Sequence, residues 1–115
     1  MLKRDFRLKK NKDYKITYNK GKYLTGQYVI MYYLKNGLSV NKFGFSISKK
    51  VGKAVVRNKI KRRLRECCRL NNSRLAQGYN IIFVARSKIK GIKYVLVEEE
   101  IINLLSKANL LKQNS

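Results

Sequence analysis

The run F-G-F-S-I-S-K-K-V-G-K-A-V-V-R-N-K-I-K-R-R-L-R-E-C-C-R, residues 43–69, carries two periodicities in succession. Over residues 42–48 the chain alternates. Phe43, Phe45 and Ile47 face one way and Gly44, Ser46 and Ser48 the other, the pattern of a strand with an apolar face and a small, polar one. Residues 49–53 form a loop in which Gly52 allows a tight change of direction. Beyond it the repeat lengthens to three and four residues, so that Val56, Ile60, Leu64 and Cys67 or Cys68 form the apolar stripe of a helix.

The rest of that helix is cationic. Residues 49–69 contain ten Lys or Arg against one acid, Glu66. Arg57, Lys61 and Arg65 stack at four-residue spacing, with Asn58, Arg62 and Arg69 on the adjoining side. Arg57–Lys61, Lys59–Arg63, Lys61–Arg65 and Arg65–Arg69 are like-charge pairs, and only Arg62–Glu66 is favourable. At roughly 0.2–0.5 kcal/mol per pair the helix is about 1–2 kcal/mol worse off, which a solvated face does not explain and a polyanionic partner does. Five of the nine arginines lie here in a chain that otherwise uses Lys. A guanidinium forks onto phosphate and stacks on bases, which an ammonium cannot do.

A chain of 115 residues, 44% hydrophobic, supports one core, and we read 1–115 as a single RNA-binding domain. The net charge of +22 exceeds what solubility requires and points to nucleic acid. No apolar run approaches the roughly 20 residues of a membrane span, and no apolar signal core follows residues 1–5, so a cytoplasmic protein with no membrane partner is expected. Cys67 and Cys68 are neighbours and cannot form an ordinary disulfide; at least one is expected to pack as a small hydrophobe. There is no His, no second Cys pair and no spaced carboxylate cluster, so neither a metal site nor a catalytic constellation is visible.

Outward from the central run, residues 1–10 read as an extended basic lead-in anchored by Phe6 and Leu8. Asn11 is expected to cap a helix running to residue 20, ended by Gly21. Tyr14 and Tyr18 share a face of it, either as its core side or, amid lysines, as stacking rings for single-stranded RNA. A strand is predicted over 27–35, a turn at Asn36-Gly37 and a strand over 79–86. If that last strand pairs parallel with its predecessor, the basic helix is a crossover, a connection right-handed in about 98% of cases. From Tyr94 a closing helix buries Val97, Ile101, Leu104 or Leu105, Ala108 and Leu111. Glu98-Glu99-Glu100 near its start either turns away from RNA or pairs internally with lysines. The expected fold is α+β, one two-layer domain of order α-β-β-β-α-β-α, with a mixed sheet of about four strands, a basic crossover helix and a C-terminal helix.

The run S-K-K-V-G-K-A-V-V-R-N-K-I-K-R-R-L-R-E resembles the signature of the protein subunit of bacterial ribonuclease P, whose Arg-Asn-x-x-Lys-Arg core is Arg57, Asn58, Lys61 and Arg62 here. The flanks agree: Leu8-Lys9-Lys10-Asn11 with Asp13-Tyr14 upstream, Ile81-Ile82-Phe83-Val84-Ala85-Arg86 downstream. The resemblance implies a left-handed crossover and a protein without catalytic residues. In that family the RNA subunit, with Mg2+, hydrolyses the phosphodiester that joins the 5′ leader to precursor tRNA. It assigns Lys49, Lys53, Arg57, Asn58, Lys61, Arg62 and Arg65 to the RNA subunit. Tyr14 and Tyr18, with Ser46 and Ser48, go to the leader, and Tyr32 or Tyr33 adds a ring, of which we take Tyr33. The partners are then the RNA subunit and precursor tRNA, with no small-molecule substrate. The alternative is a small basic ribosomal or general RNA-binding protein, which would lack the Arg-Asn motif after a strand and the aromatic first helix.

Overall fold

The computed structural model describes residues 4–112. Its elements are α1 (Asn11–Lys20), β1 (Lys22–Thr25), β2 (Val29–Lys35), β3 (Lys42–Ser46), α2 (Ala54–Asn71), β4 (Tyr79–Ala85) and α3 (Tyr94–Lys107), with short 3-10 turns at Arg4–Phe6, Asn72–Arg74 and Ser87–Ile89. The protein is α+β. Its four strands run in the order β1-β2-β4-β3, antiparallel except for the parallel pair β3–β4 that α2 connects.

Strand alternation divides the sheet into two unlike faces. Val29 and Met31 of β2, Phe43 and Phe45 of β3, and Ile81, Phe83 and Ala85 of β4 form a core with Leu64, Cys67 and Cys68 of α2 and with Val97, Ile101, Leu104 and Leu105 of α3. Phe45 stacks on Phe83, centroids 6.4 Å apart. Both cysteines are free thiols buried in this core. The opposite face carries Tyr32, Gly44 and Ile82, which are register partners. Helix α1 lies on it as a partial third layer, beyond the two expected.

Several local expectations shift. Lys10, not Asn11, occupies the cap of α1 and makes no side-chain cap bond; its carbonyl accepts from the Asp13 and Tyr14 amides at 3.0 and 3.2 Å. The expected order holds one strand more than the sequence located, and it is β1, four residues long and almost wholly exposed. Strand β2 begins at Val29, not residue 27, because the Glu100 carboxylate of α3 accepts the amides of Gln27, Tyr28 and Val29 at 2.5, 2.8 and 2.9 Å. Gly26 makes room for it: a Cβ there would lie 2.5 Å from the Glu100 carboxyl carbon. Arg86 donates to the Gly26 carbonyl at 2.7 Å and completes the clasp. The Glu98 carboxylate accepts the Tyr94 hydroxyl at 3.3 Å, so two acids of the triplet, Glu98 and Glu100, serve as acceptors within the fold. Helix α3 stops at Lys107, Asn109 turns left-handed at φ 59°, and Leu111 bridges Leu75 instead of extending the helical stripe.

Candidate nucleic-acid interface

Glycine 44 lets α1 lie close against the sheet. A Cβ at this position would stand 2.7 Å from the Tyr14 hydroxyl oxygen and 2.8 Å from its ring, so only Gly admits the ring there. Tyr14 accepts the Phe45 amide at its hydroxyl, 3.3 Å away. Its ring lies 6.3 Å from that of Tyr18, which meets Tyr32 edge-on at 4.8 Å, and Tyr32 lies 5.6 Å from Tyr23 of β1. Burial raises the phenol pKa of Tyr14, against the Phe45 hydrogen bond and the Arg65 charge that lower it. Burial likewise raises Tyr18, opposed by a hydrogen bond with Ser46 and helped by the neighbouring Tyr14 and Tyr32. Both rings are half-buried, with part of each surface open.

An amide relay fixes α1 at this height. Asn36 Nδ2 donates to Asn80 Oδ1 at 3.1 Å, Asn80 Nδ2 to Thr17 Oγ1 at 3.3 Å, and Thr17 Oγ1 to the Asp13 carbonyl at 2.8 Å. Thr17 and Asn80 are buried, so the helix is pinned to β4 by satisfied polar groups.

The cations of α2 reach the same region over the β3 edge, where Arg7 forms a parallel bridge with Phe43. Burial lowers the pKa of Lys61, and the charges of Arg65 and Arg7 lower it further. Burial and Arg7 also lower Arg65, while Tyr14 raises it. Three cations thus cluster together, and one of them, Arg65, acts on the first tyrosine of the row. Arg65 Nε is buried without a hydrogen-bond partner. Arg57 is half-buried and its Nε donates to the Gly52 carbonyl at 3.1 Å, clasping the loop that carries the exposed Lys49 and Lys53. Asn58 and Arg62 are exposed on α2. Glu66 pairs with Arg69 one turn on, at 3.1 Å from its Nε, and not with Arg62 as the spacing suggested.

Two expected leader residues stand apart from this cluster. Tyr33 is corrected to Tyr32: the register Tyr32↔Ile82 and Tyr33↔Ile81 turns Tyr32 toward α1 and Tyr33 into the core. The run Val29–Lys35 is apolar on both faces, so alternation could not choose between them. Ser48 lies exposed beyond the end of β3, while Ser46 joins Tyr18. Sequence reasoning missed Arg7, Gly44 as the seat of Tyr14, and the Asn80–Thr17 relay. A small residue opposite an aromatic helix face was the only available signal for the second, and the others had none.

A mixed sheet with a cationic crossover helix, and a tyrosine-bearing helix whose rings meet those cations over one edge, define a small basic α+β protein that gathers aromatics and cations on one surface. The family model described as Ribonuclease P matches residues 2–109. The chain belongs to the ribonuclease P protein family. The ribonuclease P protein component of Caldanaerobacter subterraneus subsp. tengcongensis is 47% identical over 107 residues, covering 93% of this chain and 92% of that one. That of Alkaliphilus oremlandii is 47% identical over 105 residues, covering 91% and 92%. The Staphylococcus aureus RNase P protein structure superposes with a TM-score of 0.86 at 31% identity, over 93% of this chain and 98% of that one. The Thermotoga maritima protein gives 0.82 at 31%, over 88% and 96%.

Proposed function

We propose that this protein, as a ribonuclease P subunit, binds the catalytic RNA through α2 and its entry loop, and the 5′ leader of precursor tRNA through the tyrosine face. The observation that carries this reading is the junction of the two surfaces: Arg65, which shares a cationic cluster with Lys61 and Arg7, acts on Tyr14, first in the ring row. A polynucleotide crossing the junction meets stacking rings and phosphate-binding cations in sequence. Lys49, Lys53, Arg57, Asn58, Lys61, Arg62 and Arg65 serve the RNA subunit, and Tyr14, Tyr18, Tyr32 and Ser46 serve the leader. Neutralising phosphates on both RNAs lowers their mutual repulsion and so the ionic strength or Mg2+ needed to assemble them. Because phosphate contacts carry no base information, leaders of many sequences are accepted.

The hydrolysis itself belongs to the RNA, and the Mg2+ it uses is held there. Among the described residues there is no group of three or more His, Cys, Asp or Glu side chains that could hold a metal ion. The test is cleavage of a precursor tRNA by a bacterial ribonuclease P RNA at low Mg2+, with and without the protein. Restored cleavage at the mature 5′ end is expected; tight RNA binding without restoration, with a cognate RNA subunit present, would refute it. Substituting Tyr14 and Tyr18 together by Ala should weaken precursor tRNA binding and spare mature tRNA.

A further inference from the structure

Tyr23 is the most exposed aromatic side chain of the described residues, with 62% of its surface open. It sits on β1, the edge strand, so no strand lies beyond it. It is the direct register partner of Tyr32, and the two rings lie 5.6 Å apart with 33° between their planes. Tyr32 in turn meets Tyr18 at 4.8 Å. The row therefore does not end at the groove between α1 and the sheet. It continues ring to ring, from the half-buried Tyr14 end to a ring that meets Tyr32 on one side and is otherwise largely open.

A cross-strand pair accounts for the inner face of Tyr23. It does not account for an aromatic plane left open at a sheet edge, where proteins ordinarily place charge to prevent association. The chain around it is basic: Lys20, at the end of α1, and Lys22, on the other face of β1 with its register partner Tyr33, are both exposed. An open ring in line with three others, at the edge of a basic surface, is what a nucleobase requires. We propose that Tyr23 is an additional base-stacking subsite for single-stranded RNA, extending the leader track by one nucleotide onto the sheet edge. This rests on the leader reading of the tyrosine face.

The test uses holoenzyme reconstituted with a bacterial ribonuclease P RNA. Equilibrium binding is measured for mature tRNA and for precursors whose leaders lengthen one nucleotide at a time. The readout is the total gain in affinity that the leader confers. Tyr23→Ala should reduce that gain by about five- to a hundredfold, one stacked base, with mature tRNA unaffected. Tyr23→Phe and Tyr23→Trp should keep it. Tyr23→Leu, which retains apolar cross-strand packing without a stacking plane, should lose it as Ala does. If Tyr23→Ala and Tyr23→Leu keep the full gain while Tyr14→Ala/Tyr18→Ala loses it, the subsite is wrong and the leader reading stands. Equal losses for mature and precursor tRNA make Tyr23 a structural residue and overturn the subsite. If the Tyr14/Tyr18 variant also keeps its gain, both ideas fall.

Discussion

Substituting Gly44 by Ala tests whether the seat of Tyr14 couples the fold to leader binding. The added Cβ would stand 2.7 Å from the Tyr14 hydroxyl and 2.8 Å from two ring carbons, closer than carbon atoms tolerate. If the ring stays, overpacking costs about 1–3 kcal/mol. If it swings out, the hydrogen bond from the Phe45 amide is lost, a net of roughly 1 kcal/mol, and one stacking plane leaves the row. Loss of that plane should reduce the leader-dependent gain in precursor tRNA affinity by about five- to a hundredfold. Both routes pass through Tyr14, so the two positions must be coupled. Tyr14→Ala empties the space the methyl needs, and Gly44→Ala added to it should change stability by less than about 0.5 kcal/mol. Chemical denaturation of the four proteins of the cycle gives the coupling, and binding of precursor against mature tRNA gives the functional loss. Additive destabilisation, or Gly44→Ala with an undiminished leader gain, would refute the reasoning.

Glu100→Ala strands three amides, those of Gln27, Tyr28 and the buried Val29. We expect a loss of about 2–4 kcal/mol and a fall in Tm on the order of 10 °C, and a melt within about 2 °C of wild type would remove the clasp from the account. Arg62→Ala with Arg57→Ala should weaken catalytic RNA binding at least about tenfold at moderate salt and reduce the salt slope by about 2, whereas unchanged titrations would sink the α2 assignment. Arg62→Ala alone is the cleaner arm, because Arg57 also clasps Gly52. Burial pushes the Cys67 thiol from 9.0 up to about 11, so the folded protein keeps the proton longer than the unfolded chain. The stability this confers is complete below about pH 9 and is lost as pH rises toward 11. Guanidinium midpoints of wild type and Cys67→Val should therefore converge or cross over that interval, and parallel pH profiles would contradict the assignment.

The strand-to-helix reading of residues 43–69 was legible because both periodicities are clean there: Phe43 and Phe45 went to the core with Leu64, Cys67 and Cys68. Tyr14 and Tyr18 were legible as a shared face for the same reason. What failed did so where the pattern carries no sidedness. In β2 every residue from Val29 to Leu34 is apolar or aromatic, and only pairing with β4 assigns Tyr32 to one face and Tyr33 to the other. Strand β1 exists because β2 offers it an edge, not because Lys-Tyr-Leu-Thr has a strong preference of its own. Glu100 reaches a turn more than seventy positions away, a long-range bond no local pattern encodes.

The placement of the few acids explains how so basic a chain folds while keeping its charge available. Six carboxylates face 28 cations, and the two of the triplet with defined partners serve as hydrogen-bond acceptors inside the fold: Glu100 for three amides, Glu98 for the Tyr94 hydroxyl. Neither position neutralises the Lys61–Arg65–Arg7 cluster, in which burial lowers the proton affinity of Lys61 and Arg65 and the neighbouring cationic charge lowers it further. That repulsion is a standing destabilisation of the free protein, and a polyanion that binds only the folded state relieves it. Added salt must then act with opposite sign at two levels. Over the roughly 10 Å screening length at 0.1 M it shields the cations from each other and raises the stability of the free chain, while the same screening and the lost counterion release weaken its hold on RNA. A fold stabilised by its own ion pairs would lose on both counts, so the sign of the first effect separates a surface reserved for a partner from one that is merely charged.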